Sequence, residues 1–419
     1  MRRLLLIVVV VVAFAATAVA EFTVETVETG DTGYTPEIAL DGLSRPGICF
    51  ANETDDSAKI AHWTGDAWDI DTIDSDGDVG SYCGVFFDGD NEPHVAYRDN
   101  GDKFVRYAYR DDDSWTIITL DGTAPTGLGL SVARDSLGWP RTSSVQEDYV
   151  EVAYSWMDGG GAYTTYVSDW QTVGGRATGL AVNSGDVSYI AFHETEWNDI
   201  WLTRGHDDAW QFLLIDGDET TDQLGTDLAL ALEGNEFHIA YYNETEGSLY
   251  YAAGTWTDFS VELLDGDGDA GSSLDLTLDA AGTPHACYYD AAEDMLRYAY
   301  RDTPGWRTYR VADGAGLECS LVVDDSGLVT MTYRDAKPST LYVARGDASG
   351  LPQYGGAIGD DDDDTTGDDD DDATDDDASD DDASDDDATD DDATDDDATD
   401  DDTAAGDDDD DDDGGGCAC

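Results

Sequence analysis

From Phe22 to about Gly346 the chain alternates apolar and polar residues in short runs rich in Tyr, Val, Ile and Trp. The runs are separated by clusters of Asp, Gly, Asn and Pro. A period of two bounded by turn formers predicts β-strands. No segment carries a 3.6-residue period with caps, so no helix is expected.

The runs recur as a unit. The segment SLDLTLDAAGTPHACYYDAAEDMLRYAYRDTPGWRTYRVAD, from Ser273, aligns without a gap on SYCGVFFDGDNEPHVAYRDNGDKFVRYAYRDDDSWTIITLD, from Ser81. Each reads as strand, tight turn, strand, loop, strand, turn, strand. One turn position marks every copy: Asp41, Asp88, Asp135, Asn183, Glu233, Asp279 and Asp324, at spacings of 47, 47, 48, 50, 46 and 45. Pro follows five residues later at Pro46, Pro93, Pro140 and Pro284. Asp accepts local backbone hydrogen bonds and Pro presets φ, so both favour a turn there. An aromatic then follows in the second strand, at Phe50, Tyr97, Tyr154 (after an insertion), Phe192, Tyr241, Tyr288 and Tyr333. Trp marks the fourth strand at Trp68, Trp115, Trp170, Trp210, Trp256 and Trp306.

Seven copies of the first three strands thus meet only six Trp-headed fourth strands. The missing one is matched at the other end of the chain by FTVETVET, from Phe22, with Phe in place of Trp. A repeat of this length with four strands has the size of a propeller blade. A first strand that completes the last blade closes a ring and hides its edges. The predicted fold is all-β, a seven-bladed β-propeller of four-stranded antiparallel blades. An open β-solenoid is the rival, and the displaced first strand argues against it.

The motif D-x-x-G-x-P-H-x-A-Y-Y-D, continued by L-x-Y-A-Y-R-D and G-W, resembles secreted bacterial seven-bladed propellers of the lectin- and sialidase-like type. The resemblance spans residues 22 to about 346. It implies the fold, but this fold hosts binding, hydrolysis, lyase chemistry and scaffolding alike. The sialidase Asp-box is matched loosely at Asp135-Ser136-Leu137-Gly138-Trp139, and the arginine triad of sialidases has no counterpart.

Cys49 and Cys287 share one repeat position, and Cys83 and Cys319 share another. Each pair links the second strand of one blade to the first strand of the next. Disulfides Cys49–Cys83 and Cys287–Cys319 are expected, and with them an oxidising compartment.

Residues 1–20 read as a secretory signal peptide: Arg2 and Arg3, the apolar run Leu4 to Ala16, then Ala18-Val19-Ala20. An uncleaved anchor is the alternative. Residues 21–350 form the propeller. Residues 351–419 are expected to form a disordered acidic tail in which Asp-Asp-Asp-Ala-Thr or -Ser repeats, too polar to build a core. The formal net charge is −78. The tail takes 35 of the 97 acidic residues, leaving 62 against 17 of the 19 basic ones in the mature body. Both parts repel phosphate polymers, so nucleic acid is excluded as a partner. The terminal Cys417 and Cys419 resemble Cys-bearing sorting signals of some Gram-negative secreted proteins, without the transmembrane helix and basic cluster that follow there. The localisation expected is secreted or bacterial cell envelope, and the chain is expected to be a monomer.

Two sets of residues carry candidate chemistry. The second-strand exits present Arg98, His193, Tyr242, Tyr289 and Arg334, followed by Asp99, Glu194, Asn243, Asp290 and Asp335. Such a ring can bind a sugar or a peptide, or consist of blade-to-blade salt bridges. The fourth-strand exits present Asp74, Asp76 and Asp78, and Asp265, Asp267 and Asp269. Alternating carboxylates suit Ca²⁺, although the twelfth-position Glu of an EF-hand is replaced by Val85 and Leu276. No cofactor is required. His94, His238 and His285 start second strands and are expected to hydrogen-bond structurally. The leading functional reading is a binding or scaffold propeller for carbohydrate or protein. A glycosidase or polysaccharide lyase at the central mouth, and a purely structural surface module, are the alternatives.

Overall fold

The computed structural model describes residues 22–347, except 112–113, 123–124, 148–150, 168–172, 207–208, 218–221, 304 and 337. Residues 1–20, expected to be a signal peptide, and the acidic residues 351–419 with Cys417 and Cys419 lie outside the described residues.

The described residues form 28 strands in seven four-stranded antiparallel sheets, and contain no helix. Blade 1 runs from the axis outward as β2 (Thr32–Leu40), β3 (Pro46–Asn52), β4 (Ser57–Trp63) and β5 (Trp68–Asp74). The next five blades repeat this order. Their innermost strands are β6 (Val79–Phe87), β10 (Leu128–Arg134), β14 (Val173–Val182), β18 (Leu224–Glu233) and β22 (Ala270–Leu278).

Blade 7 has the order β1-β28-β27-β26, with β26 Leu317–Val323, β27 Leu328–Arg334, β28 Thr340–Asp347 and β1 Thr23–Thr29. Strand β1 pairs with β28, Thr23 opposite Arg345 and Thr29 opposite Thr340. The inner strands pack in sequence around the axis, and β26 packs on β2. The first strand of the chain therefore completes the last blade, as the missing fourth strand predicts.

The core lies between blades. The second-strand aromatics Phe50, Tyr97, Phe192, Tyr241, Tyr288 and Tyr333 are fully buried. Close approach of neighbouring inner strands needs glycine at Gly84, where a Cβ would stand 2.5 Å from Val132.

Blade 3 departs from the sequence expectation. Its fourth strand is Gly161–Tyr166, so Trp170 does not head it and lies outside the described residues. Tyr154 sits in the third strand, opposite Ser143 of the second. The strand after Pro140 carries Ser144 where other blades carry an aromatic.

Both disulfides are present, Cys49–Cys83 and Cys287–Cys319. They join β3 to β6, and β23 (Pro284–Asp290) to β26. Cross-linking a loop of this length restricts the unfolded chain by about 4 kcal/mol. Replacing Cys49 and Cys83 together with Ser should lower stability by that amount, read as a lower urea midpoint with an equal or steeper slope. An unchanged midpoint would refute this.

Candidate functional site

The innermost strands bring together groups that no single repeat reveals. Five of them carry a bulge with one residue in the left-handed region: Thr35, Tyr82, Gly129, Ser273 and Glu318, each six residues before the turn position. Two residues on, four before the turn, stand Glu37, Gly84, Ser131, Gly179, Asp275 and Ser320. Asp227 stands two residues after left-handed Gly225 in the longer β18.

The polar members of this ring stitch one blade to the next. Four of them accept a backbone N–H from the following inner strand. Ser131 Oγ takes Leu180 at 3.1 Å, Asp275 Oδ2 takes Leu321 at 2.9 Å and Ser320 Oγ takes Ile38 at 3.3 Å. Asp227 takes Ser273 at 3.2 Å.

At the closure of the ring, Ser320 Oγ lies 2.9 Å from Glu37 Oε2 and 2.8 Å from Asp275 Oδ2. A hydroxyl has one hydrogen to donate. One of these contacts must therefore be made by a carboxylic acid donating to Oγ, so the pair holds a proton. Burial, then the neighbouring Asp275 charge, pushes Glu37 up to about 8. Burial raises Asp275 as well. Both residues keep partial water access. Asp227 is raised mainly by burial, with Glu318 and Glu244 adding to it.

The second-strand exits are engaged with protein partners. Arg98 is buried and paired with Glu147, which also holds Lys103 at 2.7 Å. Arg334 makes a two-pronged bond to Glu318 at 2.7 and 2.8 Å and lies 4.4 Å over the Tyr34 ring. Tyr242 donates to Asp269, and Tyr289 to Asp294 at 2.8 Å. His193 is buried, and that burial lowers its pKa.

The fourth-strand carboxylates also have partners. Asp74 accepts the Tyr97 hydroxyl at 2.6 Å and the Asp76 N–H at 3.0 Å. Asp265 accepts Tyr288 at 2.5 Å and the Asp267 N–H at 3.0 Å. Asp78 accepts the Asn100 amide at 3.0 Å. Tyr241 donates to Asp216 in the same way, so one Tyr–carboxylate bond ties three blades each to the blade before. Among the described residues, no group of three or more His, Cys, Asp or Glu is arranged to hold a metal.

His94, His238 and His285 each pair with a third-strand tyrosine hydroxyl, at 2.5, 2.5 and 2.6 Å to Tyr107, Tyr251 and Tyr298. His94 and His285 also approach the turn carboxylates Asp88 and Asp279 at 3.6 Å.

A cleft of about 580 Å³ opens between blades 2 and 3, on the face opposite the second-strand exits. Its walls include Asp88, His94, Tyr107, Tyr109, Arg134 and Trp139. His94 is stacked near-parallel with Phe86 and with Tyr109, at centroid distances of 4.9 and 6.1 Å. The turn that carries the loose Asp-box likeness forms one rim, because Asp135 accepts the N–H groups of Leu137 and Trp139 and so positions the indole. Arg134 is exposed and anchored to the Phe87 carbonyl at 2.8 Å. The arrangement offers ring faces beside a cation and a carboxylate. Sequence reading passed over it because its walls come from two blades.

No family model matches the sequence, and no curated protein matches it. Solved structures do match in shape. A Kuenenia stuttgartiensis hydrazine synthase chain is 10% identical, with 78% of this chain covering 98% of that one at a TM-score of 0.51. A Dyadobacter fermentans protein of unknown function is 10% identical over 77% of this chain and 99% of that one, at 0.46. An alpha-L-arabinofuranosidase from Fusarium graminearum is 10% identical over 64% and 93%, at 0.44. At these identities the likeness is one of fold: the chain is a seven-bladed β-propeller.

Proposed function

We propose that this chain is an exported carbohydrate-binding propeller whose ligand sits in the cleft between blades 2 and 3. The observation that supports this is the set of ring faces there, at Tyr109 and Trp139, flanked by Asp88 and Arg134. Aromatic faces stack on the apolar faces of sugars, and charged groups bond the hydroxyls around the ring edge. The volume suits a small ligand. The two disulfides agree with an oxidising compartment.

A glycan array on residues 21–350, followed by calorimetry on the hits, tests this reading. Trp139→Ala is expected to weaken a neutral-glycan hit at least ten-fold. No hit, or a hit indifferent to Trp139, would refute it.

The Glu37–Asp275 pair favours a second reading, hydrolysis of a glycosidic bond in the central channel. A carboxyl that keeps its proton near neutrality is the chemistry of a general acid, and carboxyls this close match retaining rather than inverting hydrolysis. Turnover of a bound glycan that disappears in Glu37→Gln would replace the first reading with this one.

A further inference from the structure

A second cleft, about 770 Å³, lies between blades 4 and 5. Its walls include Tyr189, Arg204, Trp210, Gln211, Asn235 and Trp256, and no Asp or Glu is among the described residues that line it.

Hydrogen bonding fixes which ends of its polar groups remain for a ligand. Asn183 Oδ1 accepts the N–H groups of Gly185 and Val187, at 2.9 and 3.0 Å. Its Nδ2 must therefore be the end that donates to Asn235 Oδ1, at 2.7 Å across the blade junction. Asn235 is left with its amide N–H groups. Gln211 is oriented in the same way, because Oε1 accepts both Nε and Nη2 of Arg204, at 3.1 and 3.0 Å. Its N–H groups also remain. Both amide orientations follow from their partners.

Arg204 itself lies 4.2 Å over the Trp256 ring, and among the described residues its Nη1 has no acceptor. Three neighbouring side chains thus present donors: Arg204 has no acceptor, Gln211 Oε1 holds two bonds and Asn235 Oδ1 holds one. One of them carries a fixed positive charge. A ligand that satisfies this set supplies acceptors and negative charge, and the indole of Trp210 lines the same cleft, beside the Trp256 ring that Arg204 covers.

We infer that the blade 4–5 cleft is a binding site for a carboxylate-bearing saccharide, a uronate, with the carboxylate on Arg204, Gln211 and Asn235 and the sugar ring against indole. A guanidinium fork matches a carboxylate in shape and charge. The indole walls favour a sugar ring over an acidic peptide, which has no flat apolar face to place there. This site stands independently of the one between blades 2 and 3.

The test titrates residues 21–350 with trigalacturonate, with neutral cellotriose and with a hexa-aspartate peptide, following tryptophan fluorescence and heat. Trigalacturonate is expected to bind, and Arg204→Gln to weaken it at least ten-fold. Asn235→Asp turns a donor into a charged acceptor at an exposed position and is expected to weaken it as much. If either variant fails to show the wild-type unfolding curve, the other carries the test. Trp139→Ala should leave uronate binding unchanged, so failure of one site is distinguishable from failure of the other. The inference is overturned by no uronate binding, by binding that survives both variants, by cellotriose competing equally for the same site, or by hexa-aspartate binding with the same dependence on Arg204.

Discussion

A chain that begins at Gly30 is expected to have no cooperative unfolding transition. Removing residues 1–29 takes away β1 and leaves the whole length of β28 as an open edge. It also removes Phe22, which is buried, meets Tyr298 edge-on at 5.5 Å and covers Gly346. Loss of a buried Phe side chain alone costs about 3–5 kcal/mol. Three polar ties disappear with it. Glu25 accepts Trp68 Nε1 at 3.0 Å and pairs with Arg345 at 2.8 Å, and Glu28 pairs with Lys59 at 2.8 Å. Trp68 and Lys59 belong to blade 1, so the strand ties the last blade to the first. Losses on this scale reach the whole stability of an ordinary domain, about 5–15 kcal/mol. Calorimetry against a chain beginning at Glu21 measures the difference. A permuted chain that starts at Gly30 and carries Phe22–Thr29 after Asp347 through a short turn should melt normally, because Thr23 already lies opposite Arg345. If the truncated chain melts within a few degrees of the longer one, ring closure by β1 does not hold the fold.

The strand count, the closing strand and both cystine pairs were legible because all three depend on position relative to one recurring turn. That turn is local chemistry: Asp135, for example, accepts the N–H groups of Leu137 and Trp139 from within its own loop. Blade 3 was misread for the converse reason. An insertion shifts Tyr154 into the third strand, so the repeat's aromatic no longer reports which strand carries it. The axial ring was not singled out because its members share no residue type. Glu37, Gly84, Ser131, Gly179, Asp275 and Ser320 have only their distance to the turn in common. That signal can be extracted, but its meaning needs seven strands to converge. Asp74 and Asp265 illustrate the limit from the other side. As sequence they are members of alternating carboxylate runs, whereas in the fold each accepts a tyrosine hydroxyl from the next blade. Both clefts stayed hidden because each draws its walls from two blades.

Above about pH 6.5 stability should fall as the pH rises to about 8, and this fall should be absent in Glu37→Gln. In the unfolded chain Glu37 titrates at its ordinary value of 4.5, and in the folded chain at about 8. Between those values the folded state holds a proton that the unfolded state has released, so raising the pH favours unfolding. The contribution is complete below pH 4.5 and gone above pH 8. A shift of this size corresponds to about 4 kcal/mol once partial water access is allowed for. The groups around the proton set the same sign. Asp275 from β22 adds a second charge when the proton leaves, and the single hydrogen of Ser320 from β26 can serve only one of the two. Histidines act in the opposite direction. Burial lowers His62, His94, His193, His238 and His285 below 6.5, so their contribution is present above that pH and lost as the pH falls. The wild-type profile should therefore peak near neutrality. Glu37→Gln keeps an N–H donor toward Ser320 and removes the ionisation, so it should retain the acid limb and lose the alkaline one. Urea unfolding at pH 5 to 9 on both proteins gives the comparison. Parallel profiles above pH 7 would show that no proton is shared at the closure of the ring.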